Sequence, residues 1–326
     1  MNASRLRRSL LLAGAGAAAW PATARFAHAQ PRAAWPVRPP TLVIPSAAGG
    51  GLDVAMRALA RRLGDVLGHP VVVENRPGVN LLIGTRHVAA AEPDGYTMLA
   101  MSNTFIGATI FAEAPGYDPF RDFVAVSPTA HGANLLLVAA DSGITSVRDL
   151  VERARRAGER RLSFGSAGVG SSPHVAAVQF ARSAGVEFTD VPYKGTAPAL
   201  VDLIGGQITF LFDSVAAALP HIRSGKVRAL AATTAARSSV VPDIPTVAEQ
   251  LNAPDYDLPL FYGIAVPART PADVVATLNG ALAKVAADPA MREQYAGMGF
   301  ETRSASPEEF TRFLRTQHDK LRALKA

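Results

Sequence analysis

The sequence contains no cysteine. That absence excludes a disulfide framework, a thiolate metal site, a cysteine nucleophile and a lipid-anchored N-terminal cysteine. Charge is sparse as well, with Asp, Glu, Lys and Arg making up only 18% of the 326 residues. Aromatic residues are 7%, and the most basic run, residues 153–161, holds five Arg with Glu159 among them and no aromatic. A nucleic-acid partner is therefore not expected, because such surfaces interleave bases with stacking rings. No uninterrupted apolar run reaches the roughly 20 residues of a membrane-spanning helix. What the chain has in quantity is apolar side chains, 48% of residues, together with 27 Gly and 24 Pro. That fraction supports a packed core and excludes wholesale disorder. The length fits one large domain or two of ordinary size.

Residues 1–29 have the pattern of an export signal. Arg5, Arg7 and Arg8 precede an apolar run over residues 10–20, and the segment closes on Ala27-His28-Ala29. A positive start, a short apolar core and an A-x-A ending make a secretory signal peptide. The adjacent Arg7 and Arg8 fit a twin-arginine signal, and an ordinary secretory signal with paired arginines fits equally. The formal charge of +6 shrinks with this segment. Residues 1–29 contain four Arg and no acid, so 29 basic against 27 acidic residues remain, or +2. The mature protein is expected in the periplasm, free of a membrane tether.

From Trp35 onwards, β-branched runs alternate with amphipathic stretches. A strand at 41–45, a Gly-rich turn, a helix at 53–67, a strand at 71–74, a helix at 81–91 and a strand at 97–101 read as βαβαβ. That pattern implies a parallel, helix-covered sheet. A second series runs from a strand at 135–138 through strands at 162–164, 188–190, 208–212 and 229–232, with helices between them. Thr270-Pro271-Ala272-Asp273 and Ser306-Pro307-Glu308-Glu309 signal two C-terminal helix starts. Phe310, Phe313, Leu314, Leu321 and Leu324 form an apolar stripe on the last helix. Pro/Gly-rich connections near residues 117–128 and 241–259 divide the mature chain into lobe 1 (31–128), lobe 2 (129–250) and a return to lobe 1 (251–326). Two connecting segments between two α/β lobes make a hinge.

Two loops carry candidate chemistry. Pro45-Ser46-Ala47-Ala48-Gly49-Gly50-Gly51-Leu52-Asp53 joins a strand to a helix, and so does Phe164-Gly165-Ser166-Ala167-Gly168-Val169-Gly170-Ser171-Ser172-Pro173-His174. Glycine permits a tight turn and close backbone approach, and the helix start that follows offers free N–H groups to an anion. A bare tight turn without a ligand fits the first loop as well, Asp53 capping its helix in either case, and in the second loop Ser171 or Ser172 can cap. The second is neither a P-loop, since Ser171 stands where Lys is required, nor a nucleophile elbow, since Phe164 stands at the first Gly position. Neither loop matches a dinucleotide fingerprint. In Val191-Pro192-Tyr193-Lys194-Gly195, a turn into a helix, Lys194 either holds a ligand charge or covers the surface. Asp213, at the end of a strand, lies where α/β folds bind ligands, or else caps the helix from Ser214. The seven histidines show no i, i+4 pair and no carboxylate cluster, so no metal and no other cofactor is expected.

These motifs, in order, resemble the substrate-binding receptors of tripartite tricarboxylate transporters, the Bug family. The ordered series continues through Val71-Val72-Val73-Glu74-Asn75-Arg76-Pro77-Gly78, Pro93-Asp94-Gly95-Tyr96-Thr97, Leu203-Ile204-Gly205-Gly206-Gln207 and Pro242-Asp243-Ile244-Pro245-Thr246. The resemblance implies a two-lobed α/β periplasmic-binding-protein fold, a type II Venus flytrap. It also implies binding of a small carboxylate, without chemistry, for delivery to permease subunits in the inner membrane, by a chain acting as a monomer. The residues it points to for the ligand are Ser46, Ala47, Ala48, Gly49, Asp53, Ser102 and Asn103 from the first lobe. From the second they are Ser166, Gly168, Gly170, Ser171, His174, Lys194, Gly195 and Asp213. Two departures stand out: Ser46 and Leu52 replace an aromatic and a hydroxyl residue, and Val79-Asn80-Leu81 replaces a Gly-rich run. A receptor that signals to a sensor kinase would use the same flytrap. An exported hydrolase would need Ser166 or Ser171 with His174 as its base and a third group to orient it.

Overall fold

The computed structural model describes residues 35–158, 161–238 and 240–325, so the expected signal peptide lies outside the described residues. The described strands form two sheets. The first contains β1 (Thr41–Ile44), β2 (Val72–Asn75), β3 (Thr97–Ser102), β4 (Phe123–Gly132), β10 (Leu260–Pro267) and β11 (Phe300–Thr302), in the order β11-β4-β10-β3-β1-β2. The second contains β5 (Asn134–Ala139), β6 (Ser163–Ser166), β7 (Thr189–Pro192), β8 (Phe210–Ser214) and β9 (Val227–Ala232), in the order β7-β6-β8-β5-β9.

The two sheets share one plan. In each, three parallel strands come from a βαβαβ run, and a fourth, antiparallel strand enters from the other lobe beside them. That strand is β10 in the first sheet and β5 in the second. The βαβαβ pattern therefore describes only the three-stranded half of each sheet, and the expectation of wholly parallel sheets is corrected at β5 and β10. The second half of the segment 117–128, expected as a connection, is the start of strand β4, because Phe123, Ala125 and Val126 find buried places beside β10. A break between residues 128 and 129 would fall inside β4; the chain changes sheets at Ala133. On the return, Leu251, Ala253 and Leu258 still pack on the second lobe's core, and the second crossing falls at Pro259.

Helices cover both faces of each sheet. Alternate residues of one strand enter different cores, Leu42 and Ile44 on one side and Val43 on the other. Against the first face of sheet one pack α1 (Gly51–Leu67), α9 (Ala272–Ala287) and α10 (Pro289–Ala296). Against the second pack α2 (Leu82–Ala89), α3 (Asn103–Phe111) and α11 (Pro307–Lys325). The second sheet lies between α4 (Val147–Ala157), α5 (Ser172–Ala184) and α8 (Val247–Leu251) on one side, and α6 (Thr196–Ile204) and α7 (Val215–Arg223) on the other. Helix α11 opens with reciprocal bonds between Ser306 and Glu309, as its sequence predicts. The start of α9 differs: the Thr270 hydroxyl donates to the Pro267 carbonyl, and no side chain caps the helix. The arginines expected on a solvated helix face are partly tied down, Arg153 to Asp149 and to the Ser142 and Gly143 carbonyls, and Arg155 to the Ala184 carbonyl.

Hydrogen bonds pin the two crossings together. Thr233, fully buried, accepts the Asn134 N–H through Oγ1 at 3.1 Å and donates to the Leu258 carbonyl at 2.9 Å. Asn103 reaches from α3 to the second crossing, donating to the Pro259 carbonyl and accepting the Phe261 N–H, both at 3.0 Å.

The second lobe's core centres on Phe210, whose ring lies 4.7 Å from Phe188 and 5.6 Å from Phe164, with Phe180 and Phe212 at 6.1 Å. Replacing a fully buried ring leaves a cavity as well as losing transfer energy. Phe210→Ala is expected to destabilise the protein by about 3–5 kcal/mol in urea unfolding; a loss under about 1 kcal/mol would show that this cluster does not carry the lobe.

Candidate ligand-binding cleft

The carboxyl ends of β1, β3, β6 and β8 meet between the lobes, where open α/β sheets bind ligands. Ser46, Gly51, Ser102 and Tyr262 from the first lobe face Asn134, Ser172, Thr196 and Asp213 from the second. The cleft encloses about 50 Å³ open to water. One water needs roughly 10–15 Å³ on that measure, so the space suits a small molecule.

Two helix N-termini converge on it. Helix α1 starts at Gly51 after Gly50, and α6 starts at Thr196 after Gly195; neither has a side-chain cap. The first-turn N–H groups of a helix have no partner within the helix and carry a partial positive charge. In α6 the third position is Pro198, so the donors left there are the Thr196 and Ala197 N–H groups. Elsewhere around the cleft Ser102 caps α3, Ser171 caps α5 and Ser214 caps α7, while α2, which follows Leu81, has no side-chain cap. Helices α1 and α6 thus bring one uncapped start from each lobe. Glycine is required at both starts. A Cβ on Gly51 would strike the Ser214 hydroxyl and the Tyr262 hydroxyl, and Gly195 holds φ +130°.

Two buried polar atoms in the cleft have no hydrogen-bond partner, Ser46 Oγ and Asp213 Oδ2. Asp213 is 3% exposed, and its Oδ1 accepts the Ser214 N–H at 2.8 Å. Burial pushes its carboxyl up to about 7, while the Ser214 N–H and the adjacent Thr196 hydroxyl pull the other way. Tyr262, also buried, is held well above the usual phenol range by burial first and by the Asp213 charge second.

The other predicted residues lie around this centre in different roles. Ala47 donates its N–H to the Lys194 carbonyl across the lobes at 3.2 Å, and Ala48 is exposed beside it. Gly49 donates to Asp53, whose oxygens also accept from Arg57 and Asn75. Burial raises the Asp53 pKa and these bonds more than offset it, so the group is an anion that ties its loop together and does not line the cleft. Asn103 lines a separate pocket behind the crossings, with Leu321 and Leu324 of α11. Ser166 Oγ accepts the Gly168 N–H, and Ser171 Oγ accepts the Ala167 N–H. The Lys194 side chain is exposed. His174 packs between Phe111 of the first lobe and Phe164, and its Nδ1 accepts the Gly170 N–H at 3.2 Å. Burial lowers its pKa, and the Asp190 charge opposes this. With Ser171 fully buried as a helix cap and His174 Nδ1 already occupied, the pair lacks the nucleophile–base bond that a hydrolase requires.

Sequence reasoning missed Thr104, Asn134, Ser172, Thr196 and Tyr262. Tyr262 was legible in principle, since residues 260–267 are an apolar run of strand length. Ser172 donates its N–H to Thr104 Oγ1 across the lobes and accepts Asn134 Nδ2 at 2.9 Å. The departure at Val79-Asn80-Leu81 becomes a short 3-10 turn with Asn80 and Leu81 both left-handed (φ 57° and 59°). It delivers Leu81 to the cleft and the Asn80 N–H to the Ala167 carbonyl at 2.7 Å. Among the described residues no three His, Asp or Glu side chains gather as a metal-ligand group.

Comparison with known proteins settles the family. The model of the tripartite tricarboxylate transporter family receptor matches residues 55–325. The chain belongs to this receptor family. Protein BugT of Bordetella pertussis is 33% identical over 297 residues, covering 90% of each chain. Among solved structures, the periplasmic binding protein BugD gives a TM-score of 0.84 at 33% identity, covering 89% of this chain and 97% of its own. MatC of Rhodopseudomonas palustris with bound malate gives 0.83 at 28% identity, covering 89% and 99%. A solute-binding receptor from Polaromonas without ligand gives 0.62 at 27% identity, covering 89% and 98%. The fold is thus the two-lobed α/β fold of periplasmic binding proteins, and family and fold alike are those of solute-binding receptors.

Gly107 and Gly170 approach closely across the lobes. A Cβ on Gly107, inside α3, would overlap the Gly170 carbonyl group, which is backbone and has no side-chain freedom to give way. Gly107→Ala is therefore expected to push the lobes apart. Small-angle scattering checks this through an increased radius of gyration; unchanged compactness would show that the contact does not set the lobe spacing.

Proposed function

We propose that this receptor is exported to the periplasm, closes its lobes on a small carboxylate and delivers it to permease subunits in the inner membrane. The observation that carries the proposal is the pair of uncapped helix N-termini, α1 from one lobe and α6 from the other, facing one buried cleft. Each lobe alone offers half of the donors an anion needs. Closure is then favoured by the bound ligand, which has more partners in the closed state than in the open one.

Two further observations support it. At similar identity and coverage, the chain superposes far better on the malate-bound receptor than on the unliganded one, which supports a ligand-dependent lobe setting in this family. The mature chain is also nearly neutral, so attraction of an anion falls to local N–H groups rather than to net charge. In this role Ser46, Ser102, Gly195 and Asp213 contact the ligand from the cleft wall. Ala47 and Lys194 latch the lobes, and Asp53, Ser166, Ser171 and His174 shape the loops that present the donors. The chain works as a monomer, and its signal peptide leaves at Ala29.

The test is a panel of C3 to C6 mono- and dicarboxylates, malate and adipate included, screened by thermal shift and calorimetry. At about 100 times its Kd, a cognate acid stabilises the protein by about 2.7 kcal/mol, a rise of several degrees. If no carboxylate shifts the transition and native mass spectrometry finds no small acid on the purified protein, the proposal fails.

A further inference from the structure

Asp213 is an odd neighbour for a carboxylate. It is buried at the end of β8, its Oδ2 has no partner, and it lines the cleft that receives the helix N-termini. Resting on the carboxylate-receptor reading above, we propose that Asp213 takes up one proton from solvent as the ligand binds and donates it, from Oδ2, in a hydrogen bond to the ligand carboxylate.

The elements packed around the group bear this out. Helix α5 brings Ser172 and Pro173 to the cleft, its His174 packing away between Phe111 and Phe164, and β6 pairs with β8 through Phe164 and Gly165. Helix α6 presents Thr196, α7 presents Ser214, and α1 presents Gly51 and Leu52. Strand β5 sets Leu135 in register with it, and β10 brings Tyr262. Among the described residues Tyr262 is the one other titratable residue lining the cleft, and its burial keeps it a neutral phenol. Among them too no Lys, Arg or His lines the cleft to offset the Asp213 charge. Two carboxylates in one desolvated site cannot both ionise; one proton is shared between them. The helix N-termini hold the ligand as the anion, which leaves the proton on Asp213. A protonated acid also supplies the donor that a second ionised acceptor would lack.

In the closed cleft without ligand, burial already pushes the Asp213 carboxyl up to about 7, and a ligand carboxylate beside it pushes it further. Well below the pKa of the ligand-free protein the proton is already in place and affinity is flat. Above it, each binding event must draw a proton from solvent, so the association constant falls by up to about tenfold per pH unit until the pKa of the complex is reached.

The experiment is calorimetry of the wild type with malate, adipate and any co-purified acid between about pH 6 and pH 8.5. Each pH is measured in two buffers of different ionisation enthalpy, which counts protons directly. Net uptake approaching one proton near pH 8, with affinity falling on the alkaline side, is the expected result. Asp213→Asn, which carries a permanent N–H donor, should show no uptake and a flat profile. A carboxylate that binds the wild type with no proton uptake and no pH dependence overturns the proposal while leaving the receptor function standing. Uptake that persists in Asp213→Asn overturns it too, by assigning the proton elsewhere. Failure of every carboxylate to bind at any pH sinks the receptor reading and this inference with it.

Discussion

Backbone N–H groups at the first turns of α1 and α6 have no partner inside their own helices, and the lobes bury them against each other. A buried, unpaired donor costs about 1–3 kcal/mol, so such groups persist only where something completes them. Much of the architecture follows from keeping these donors available. Glycine rather than Ser or Asp precedes each helix, which removes the side chain that would otherwise cap it. Gly51 leaves room for Ser214 and Tyr262 to close over the first turn of α1. Asp53 turns its carboxylate to the Gly49 N–H, Arg57 and Asn75 and leaves the first-turn amides of α1 free of a side-chain cap.

The scaffold makes this arrangement possible twice over. Each sheet builds three parallel strands whose carboxyl ends carry loops to the cleft, then accepts a strand from the other lobe. Those exchanged strands, β5 and β10, tie the lobes at two points, and Thr233 and Asn103 bond across the crossings. Two short crossings restrict relative motion to a hinge, while separate cores on either side keep each lobe rigid. Away from the crossings the lobes meet through backbone bonds, Ala47 to Lys194 and Asn80 to Ala167, and through side chains, Thr104 to the Ser172 N–H and Phe111 to His174.

Local signals made part of this legible in the sequence. The Gly-rich loops, the strand-end position of Asp213 and the βαβαβ runs all follow from spacing within one segment. The antiparallel strands β5 and β10 were not legible as such, because strand direction depends on the crossings and not on local pattern. For the same reason Tyr262 and Asn134 escaped notice: topology brings each to the cleft from a segment with no distinctive motif, whereas Thr196 follows the Lys194-Gly195 motif directly and was passed over for the charge beside it. Conversely, His174 and Asn103 stand beside ligand-like motifs, yet His174 packs between two phenylalanine rings and Asn103 bonds the second crossing. Whether a polar side chain faces a ligand or supports its loop is set by hydrogen bonds that sequence spacing does not record.

The central claim is that an anion completes two helix N-termini from opposite lobes. A crystal structure of the protein with the dicarboxylate that binds it most tightly tests this directly. The account predicts carboxylate oxygens within about 3.2 Å of first-turn N–H groups of both α1 and α6. A ligand whose charge is held instead by Lys194 or by arginines outside the cleft, with those amides bonded only to water, would contradict it.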